Sequence, residues 1–329
     1  SSTTEVVRVK TNMLAGVLYG KEQLRVESMP IPRIESGEVL VRVRAALTCG
    51  TDVKVFRRGY HAKMIVPPAV FGHELGGDIV EVGDGVRGFE VGQRVIAANS
   101  APCGECFYCK RNLENLCDDL LFNNGAYAEY IRIPARIVEK NLLHIPEHVA
   151  YQEAALAEPL ACVLRGWEET HAQAGDSVAI IGLGPIGMMF VCIAKAFGAR
   201  VIAIGRRWQQ LERASEMGAD ELVCTEETPD LPERIRELTE GRGADVVFEA
   251  VGKPETWEVA VKLLRRGGTV NFFGGCPNDT KVSLPTALLH YSELSCKASF
   301  HHTPKLIRKA LELVSSGAVP AKFFINRVE

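Results

Sequence analysis

The run Ser177-Val178-Ala179-Ile180-Ile181-Gly182-Leu183-Gly184-Pro185-Ile186-Gly187 decides how this chain is read. Five residues suited to a buried strand are followed by a Gly-x-Gly-x-x-Gly turn and then by an apolar stretch, 186–197, that reads as a helix. In that setting glycines permit a tight turn and a close approach of backbone to a pyrophosphate. The helix start supplies unpaired N–H groups and the positive end of a dipole. Gly182, Gly184, Pro185, Ile186 and Gly187 are therefore candidate cofactor-binding residues, with a ligand-free glycine turn as the plain alternative. Downstream, strands at 200–204, 244–249 and 269–273 alternate with helices at 207–217 and 254–265. Such βαβ alternation implies a parallel sheet covered by helices.

The second of those strands runs into Gly205-Arg206-Arg207. A carboxylate here would hydrogen-bond a ribose 2′-hydroxyl and repel a 2′-phosphate, whereas a small residue followed by guanidinium forks favours the phosphate. The expectation is NADP(H) over NAD(H), with two solvated surface arginines as the rival reading.

Upstream of the α/β region, 11–100 alternates short β-rich runs, such as 39–44 and 78–83, with glycine turns at 83–85 and 91–92. This part reads as a partly barrel-like β lobe. The chain has 329 residues, 47% hydrophobic and 24% charged, with a formal net charge of -3. These values fit about two globular domains. They speak against a nucleic-acid or membrane-surface binder driven by bulk charge. The uncharged run 178–194 is interrupted by Gly182, Gly184, Pro185 and Gly187 and so reads as strand, turn and helix, not as a membrane span. Nothing at the N-terminus has the charged, apolar and small-residue zones of a secretory signal, the leading Ser1-Ser2 reads as a remnant of processing, and the expected location is cytoplasmic.

Four of the ten cysteines, Cys103, Cys106, Cys109 and Cys117, cluster in a lobe at about 100–120. Two-residue gaps let turns aim successive thiolates at one ion, and four thiolates close the tetrahedron of a structural zinc. An iron–sulfur cluster and a set of buried free thiols are the alternatives. Cys162, Cys192, Cys224, Cys276 and Cys296 read most simply as small buried hydrophobes. Three further patches carry ligand-type side chains: Cys49-Gly50-Thr51-Asp52, Gly72-His73-Glu74 and Glu158-Pro159. Spacing alone does not join them.

These three patches, the cysteine cluster and the glycine turn stand in the order found in the zinc-dependent medium-chain dehydrogenases, which the chain resembles from about residue 15 to its end. Glu158-Pro159-Leu160 resembles the polyol (sorbitol-type) and threonine dehydrogenase branch. The resemblance implies an α/β fold: a Rossmann doubly wound parallel sheet (161–296) plus a discontinuous, β-rich GroES-like catalytic domain (1–160, with a return at 297–329). It implies an active site between the domains and two Zn²⁺, one structural and one catalytic. The catalytic ion would be held by Cys49, His73 and Glu158, with Glu158 either direct or through water. Glu74 would be an alternating ligand, Asp52 would orient His73, and Thr51 would take the proton of a zinc-bound alcohol. Phe273, Gly274, Ala298 and Phe300 would line the nicotinamide pocket. The implied reaction interconverts a secondary alcohol of a polyol, sugar alcohol or amino alcohol and its ketone.

The chain departs from the family pattern in two places. Lys54 stands where a relay histidine is common, either as a proton relay and anion binder or as a solvated lysine. The chain stops at Arg327-Val328-Glu329, where relatives usually run on, so either the branch is short or the chain is a truncated version. His301 and His302 are candidate substrate contacts or a polar turn; Phe56 and Tyr60 line the substrate side or pack in the core; Trp167 and Trp257 read as packing residues. The loops 54–66, 118–125 and 299–304 would shape the pocket. The expected assembly is a homodimer or homotetramer through sheet edges near 269–296. The rivals are a zinc-free quinone or enone reductase on the same fold and a non-catalytic NADP-binding relative.

Overall fold

A computed structural model describes residues 10–61 and 63–325; Ser1-Ser2 and Arg327–Glu329 lie outside them. The chain divides into two compact units between Glu158 and Pro159. The stretch 297–325, expected to return to the catalytic domain, falls in the second unit in this division.

The first unit is built on a five-stranded antiparallel sheet in the order Leu142–His144, Arg94–Ala97, Glu74–Val82, Val39–Leu47, Tyr130–Ile133. Alternating apolar residues turn Val39, Val41, Ile79, Val95, Ile131 and Ile133 into one core, the period-2 pattern of a half-buried sheet. A second sheet orders Gln23–Pro30, Asn12–Gly20 and Ala69–Val70. The strand Val39–Leu47 leads into the helix Gly50–Arg58 after Cys49, and its ladder pairs Leu47 with Glu74. This ladder places the Cys49 and His73 segments side by side, although 24 positions separate them in sequence.

The second unit holds a six-stranded parallel sheet in the order Glu221–Cys224, Arg200–Gly205, Ser177–Ile181, Ala244–Glu249, Leu264–Phe272, Ser295–Lys297. Numbered along the chain, that order is 3-2-1-4-5-6, the doubly wound arrangement that binds dinucleotides where the order reverses. The two central strands are mostly apolar and buried, with Asp245 near the start and Glu249 at the end of the second, as in a sheet buried on both faces. The expected helix over 254–265 is shorter. It runs Pro254–Ala260, tightens to a 3-10 turn at Val261–Leu263 and gives way to strand at Leu264. The ladder jumps from Ala244↔Leu264 to Val246↔Thr269, so 265–268 bulges out at Gly267-Gly268. Among the described residues no helix is long and apolar enough to cross a membrane.

The scattered cysteines divide. Cys192 and Cys224 are buried and Cys162 and Cys276 are intermediate, but Cys296 is exposed, contrary to expectation. It lies on the last strand of the sheet, which among the described residues has no neighbour on its outer side. Trp167 stacks on Phe197 and Phe248, and Trp257 stacks on Phe272 at 4.2 Å, so both pack as expected.

The glycine turn follows the strand Ser177–Ile181. A Cβ on Gly187 would lie 1.8 Å from the Gly182 carbonyl oxygen, whereas one on Gly184 would meet nothing within 4 Å. Gly187→Ala should therefore destabilise the second unit by about 1–3 kcal/mol through overpacking, read as a lowered Tm. Gly184→Ala should stay within about 0.5 kcal/mol of wild type. Matching thermal transitions for the two variants would contradict the turn geometry.

Candidate functional site

The helix Gly50–Arg58 presents Asp52 from its first turn, and the helix as a whole follows Cys49. Asp52 is 2% exposed. Its Oδ2 accepts the backbone N–H of Cys49 at 2.9 Å, and its Oδ1 lies 3.1 Å from His73 Nδ1. A carboxylate accepts only, so Nδ1 carries a proton and Nε2 is turned the other way. Nε2 faces Cys49 Sγ at 3.6 Å, Glu74 Oε1 at 3.5 Å and Glu158 Oε2 at 3.8 Å. The ligand atoms of Cys49, His73 and Glu74 all lie within 4.8 Å of one another. Glu158, in the first turn of the helix Ala157–Thr170, joins them through its approach to His73.

The electrostatics of this cluster fit a cation. Burial pushes the Cys49 thiol up to about 11. Burial first, then the facing charge of Glu158, pushes the Glu74 carboxyl up to about 8. Burial alone would lower His73, but hydrogen bonds with Asp52 and Cys49 hold it well above its usual range. The Glu74 Oε1 atom is buried without a hydrogen-bond partner. A divalent ion reverses the preference against negative charge and satisfies that orphaned oxygen. Thiolate, imidazole and carboxylate are zinc ligands. Thr51 is half-buried in the same first turn, and Lys54, one turn further, is exposed. Phe56 packs against the Leu18, Val55, Ile65 and Phe71 cluster, which favours its packing reading, and Tyr60 is exposed.

The second cluster is local. The sulfurs of Cys103, Cys106, Cys109 and Cys117 lie within 4.8 Å of one another. The Cys103 N–H donates to Cys117 Sγ at 3.2 Å, the Glu105 and Cys106 N–H groups donate to Cys103 Sγ at 3.4 and 3.3 Å, and the Cys109 N–H donates to Cys106 Sγ at 3.5 Å. The Cys109 N–H is the largest influence drawing the Cys106 thiol down to about 6, while burial pushes Cys109 up to about 12. Backbone donors aimed at sulfur suit thiolates, and four of them make a closed tetrahedral site.

In the parallel-sheet unit, the helix Pro185–Ala196 starts on Gly184 with Pro185 in its first turn, and Gly182 takes φ +95° against Val251. Ile186 and Gly187 leave their N–H groups at the helix start, a position that favours an anion. Gly205 is buried, and a Cβ there would lie 3.0 Å from Leu183 Cδ1; Arg206 and Arg207 are exposed. Phe273 stands edge-on to Phe190 at 5.0 Å, and Ala298 and Phe300 are exposed. His301 and His302 stack at 3.8 Å ahead of the helix Pro304–Ser315. Glu249 did not figure in the sequence reading. It is fully buried at a strand end, and its Oε1 accepts the Val251 and Gly252 N–H groups at 2.9 Å each. A Cβ on Gly274 would come within 2.6 Å of its Oε2, so this carboxyl fixes the loop that packs on Gly182. The available signal was an acid ending an apolar strand three residues before a glycine.

Two family models match: the zinc-binding dehydrogenase model over 185–316 and the alcohol dehydrogenase GroES-like domain over 35–147. The chain is 34% identical to the sorbitol dehydrogenase of Bacillus subtilis, over 97% of this chain and 90% of that protein. It is 39% identical to the L-threonine 3-dehydrogenase of Bacillus licheniformis, over 74% of this chain and 71% of that protein. A Sinorhizobium meliloti structure bound to NADP superposes with a TM-score of 0.85 at 32% identity, covering 94% of this chain and 90% of that one.

Asp52→Asn should weaken the more weakly held metal equivalent about 10–100-fold, measured by chelator competition. Cys106→Ser should instead lose the other equivalent. An unchanged chelator midpoint for Asp52→Asn would contradict the orienting role.

Proposed function

The chain belongs to the zinc-dependent medium-chain dehydrogenases, in the polyol and threonine dehydrogenase branch, and from that premise we propose that it interconverts a secondary alcohol of a polyol, sugar alcohol or amino alcohol and its ketone. The observation that carries this reading is the convergence of Cys49 Sγ, Glu74 and Glu158 on the inward Nε2 of His73, with Asp52 behind it. In this reading residues 1–160 carry the metals and 161–296 the cofactor.

Cys49, His73 and Glu158 would hold the catalytic zinc, and Glu74 would be an alternating ligand. Cys103, Cys106, Cys109 and Cys117 hold the structural one. When bound, zinc would supply a Lewis acid for the substrate oxygen and the nicotinamide a hydride acceptor or donor. The chain's own residues do the rest. Asp52 fixes the tautomer and direction of His73 and ties down the Cys49 backbone. Thr51 takes the hydroxyl proton of the substrate. Lys54, three positions on along the helix and exposed, delivers that proton to water. The N–H groups at 186 and 187 bind the pyrophosphate, and Phe273, Gly274, Ala298 and Phe300 line the nicotinamide.

We assign NADP(H) as the preferred cofactor. Gly205 supplies no carboxylate, a Cβ there would crowd Leu183 Cδ1 at 3.0 Å, and two exposed guanidiniums follow it. The Sinorhizobium relative carries NADP. The protein is read as a cytoplasmic homodimer or homotetramer that pairs through the uncovered strand Ser295–Lys297; thiolates kept for a metal fit a reducing compartment.

Cys49→Ser should abolish alcohol oxidation while leaving the NADPH dissociation constant within about twofold, measured by fluorescence titration; full turnover in that variant would remove the zinc assignment. Arg206→Ala/Arg207→Ala should lower kcat/KM for NADPH by about 10–100-fold, as expected for lost charge-assisted hydrogen bonds, with little change for NADH. Equal efficiencies with both cofactors in wild type and variant would refute the preference.

A further inference from the structure

We infer that Tyr127 is a positioning residue for the metal site of the first unit, tying together the two chain segments that carry Cys49 and His73. The inference rests on the reading of that site as a catalytic metal centre.

The Tyr127 backbone is fixed to one segment. Its N–H donates to the Phe71 carbonyl at 2.8 Å, and its own carbonyl accepts the Gly16 N–H at 2.7 Å. The ring lies over Gly72, the residue before His73. A Cβ there would come within 2.6 Å of ring carbons, and Gly72 takes φ +91°, a conformation side chains disfavour. Phe71 meets the same ring edge-on at 5.6 Å. The ring thus fixes the direction in which the chain leaves Gly72 toward His73.

The hydroxyl reaches the other segment. It lies 3.2 Å from the Leu47 carbonyl and 2.7 Å from Thr48 Oγ1. A carbonyl only accepts and a phenol has one proton, so Tyr127 donates to Leu47 and Thr48 donates to Tyr127. Thr48 is the residue before Cys49, and Leu47 pairs with Glu74 in the ladder. Burial raises the phenol far above its usual range, so this proton stays in place. One side chain therefore touches the residue before each of two ligands, and Asp52 bridges the same two ligands from the far end. Groups that orient ligands in this way typically change metal affinity about 10–100-fold when removed.

The ring and hydroxyl roles separate in Y127F, which keeps the packing on Gly72 and removes only the oxygen. Zinc-loaded wild type, Y127F, T48V and the double variant are mixed with an excess of a chromophoric chelator, and zinc release is followed in time. Wild type should release two equivalents in two phases. Y127F should accelerate the catalytic phase about tenfold or more and leave the four-thiolate phase unchanged. T48V, which breaks the same bond from its other end, should accelerate that phase too, and the double variant should be no faster than the worse single one. If Y127F misfolds, T48V alone decides. Two release phases with wild-type rates in Y127F and T48V would overturn the positioning role while leaving the metal centre standing. A single equivalent in wild type would overturn both. A lowered Tm with unchanged release would show a purely structural residue and would also overturn the inference.

Discussion

Two carboxylates and a thiol crowd around one imidazole in surroundings where negative charge is costly, and a positive ion would join them. The segments that carry Cys49, His73 and Glu158 are arranged around that constraint. Burial drives the Cys49 and Glu74 protons on, and Asp52 turns the only basic nitrogen inward. Isolated charges in such a place cost several kcal/mol each. The cluster is therefore specified for a cation by its own discomfort, and Asp52 keeps the geometry from collapsing into ordinary ion pairs. Its two oxygens divide the labour: one holds the Cys49 backbone and the other the His73 ring. The two ligands cannot drift apart without breaking a buried hydrogen bond.

The second unit works by the opposite logic. Its turn carries no side-chain charge, only backbone N–H groups and closely spaced glycines. Gly187 nearly touches the Gly182 carbonyl, so neither can bear a side chain. Glu249 then holds the neighbouring loop, which presses Val251 against Gly182. A surface that approaches an anion through backbone alone is stiff, because every part of it is packed against another part. In the first unit a bound cation would create tolerance to negative charge; in the second, backbone dipoles would.

Much of this was legible in the residues. The glycine turn between a strand and a helix gave the parallel sheet, because few other contexts need that spacing. The cysteine lobe was readable because its ligands are neighbours in sequence. Cys49, His73 and Glu158 were not joined by any local pattern, and only the resemblance to a family linked them. What joins Cys49 and His73 physically is an antiparallel ladder pairing Leu47 with Glu74, while Glu158 comes from a separate helix; pairing register is not written in either segment alone. Glu249 and Tyr127 were missed for the same reason: their partners are backbone groups from distant segments. The end of the 254–265 helix was misplaced because the Gly267-Gly268 bulge starts the next strand early. Cys296 was misjudged because an apolar residue on an uncovered edge strand looks, in sequence, like one in a core.

The thiolate lobe spans only residues 103–117, and its hydrogen bonds run between near neighbours. The imidazole centre draws on residues from 49 to 158. During synthesis on the ribosome, the first can load its ion as soon as that short stretch emerges, since closing so small a loop costs little entropy. The second must wait until the long ladder and the helix bearing Glu158 have been made. On the proposed assignment the thiolate lobe would be ready for its ion before the imidazole centre is complete, so the two sites differ in how much of the chain each requires.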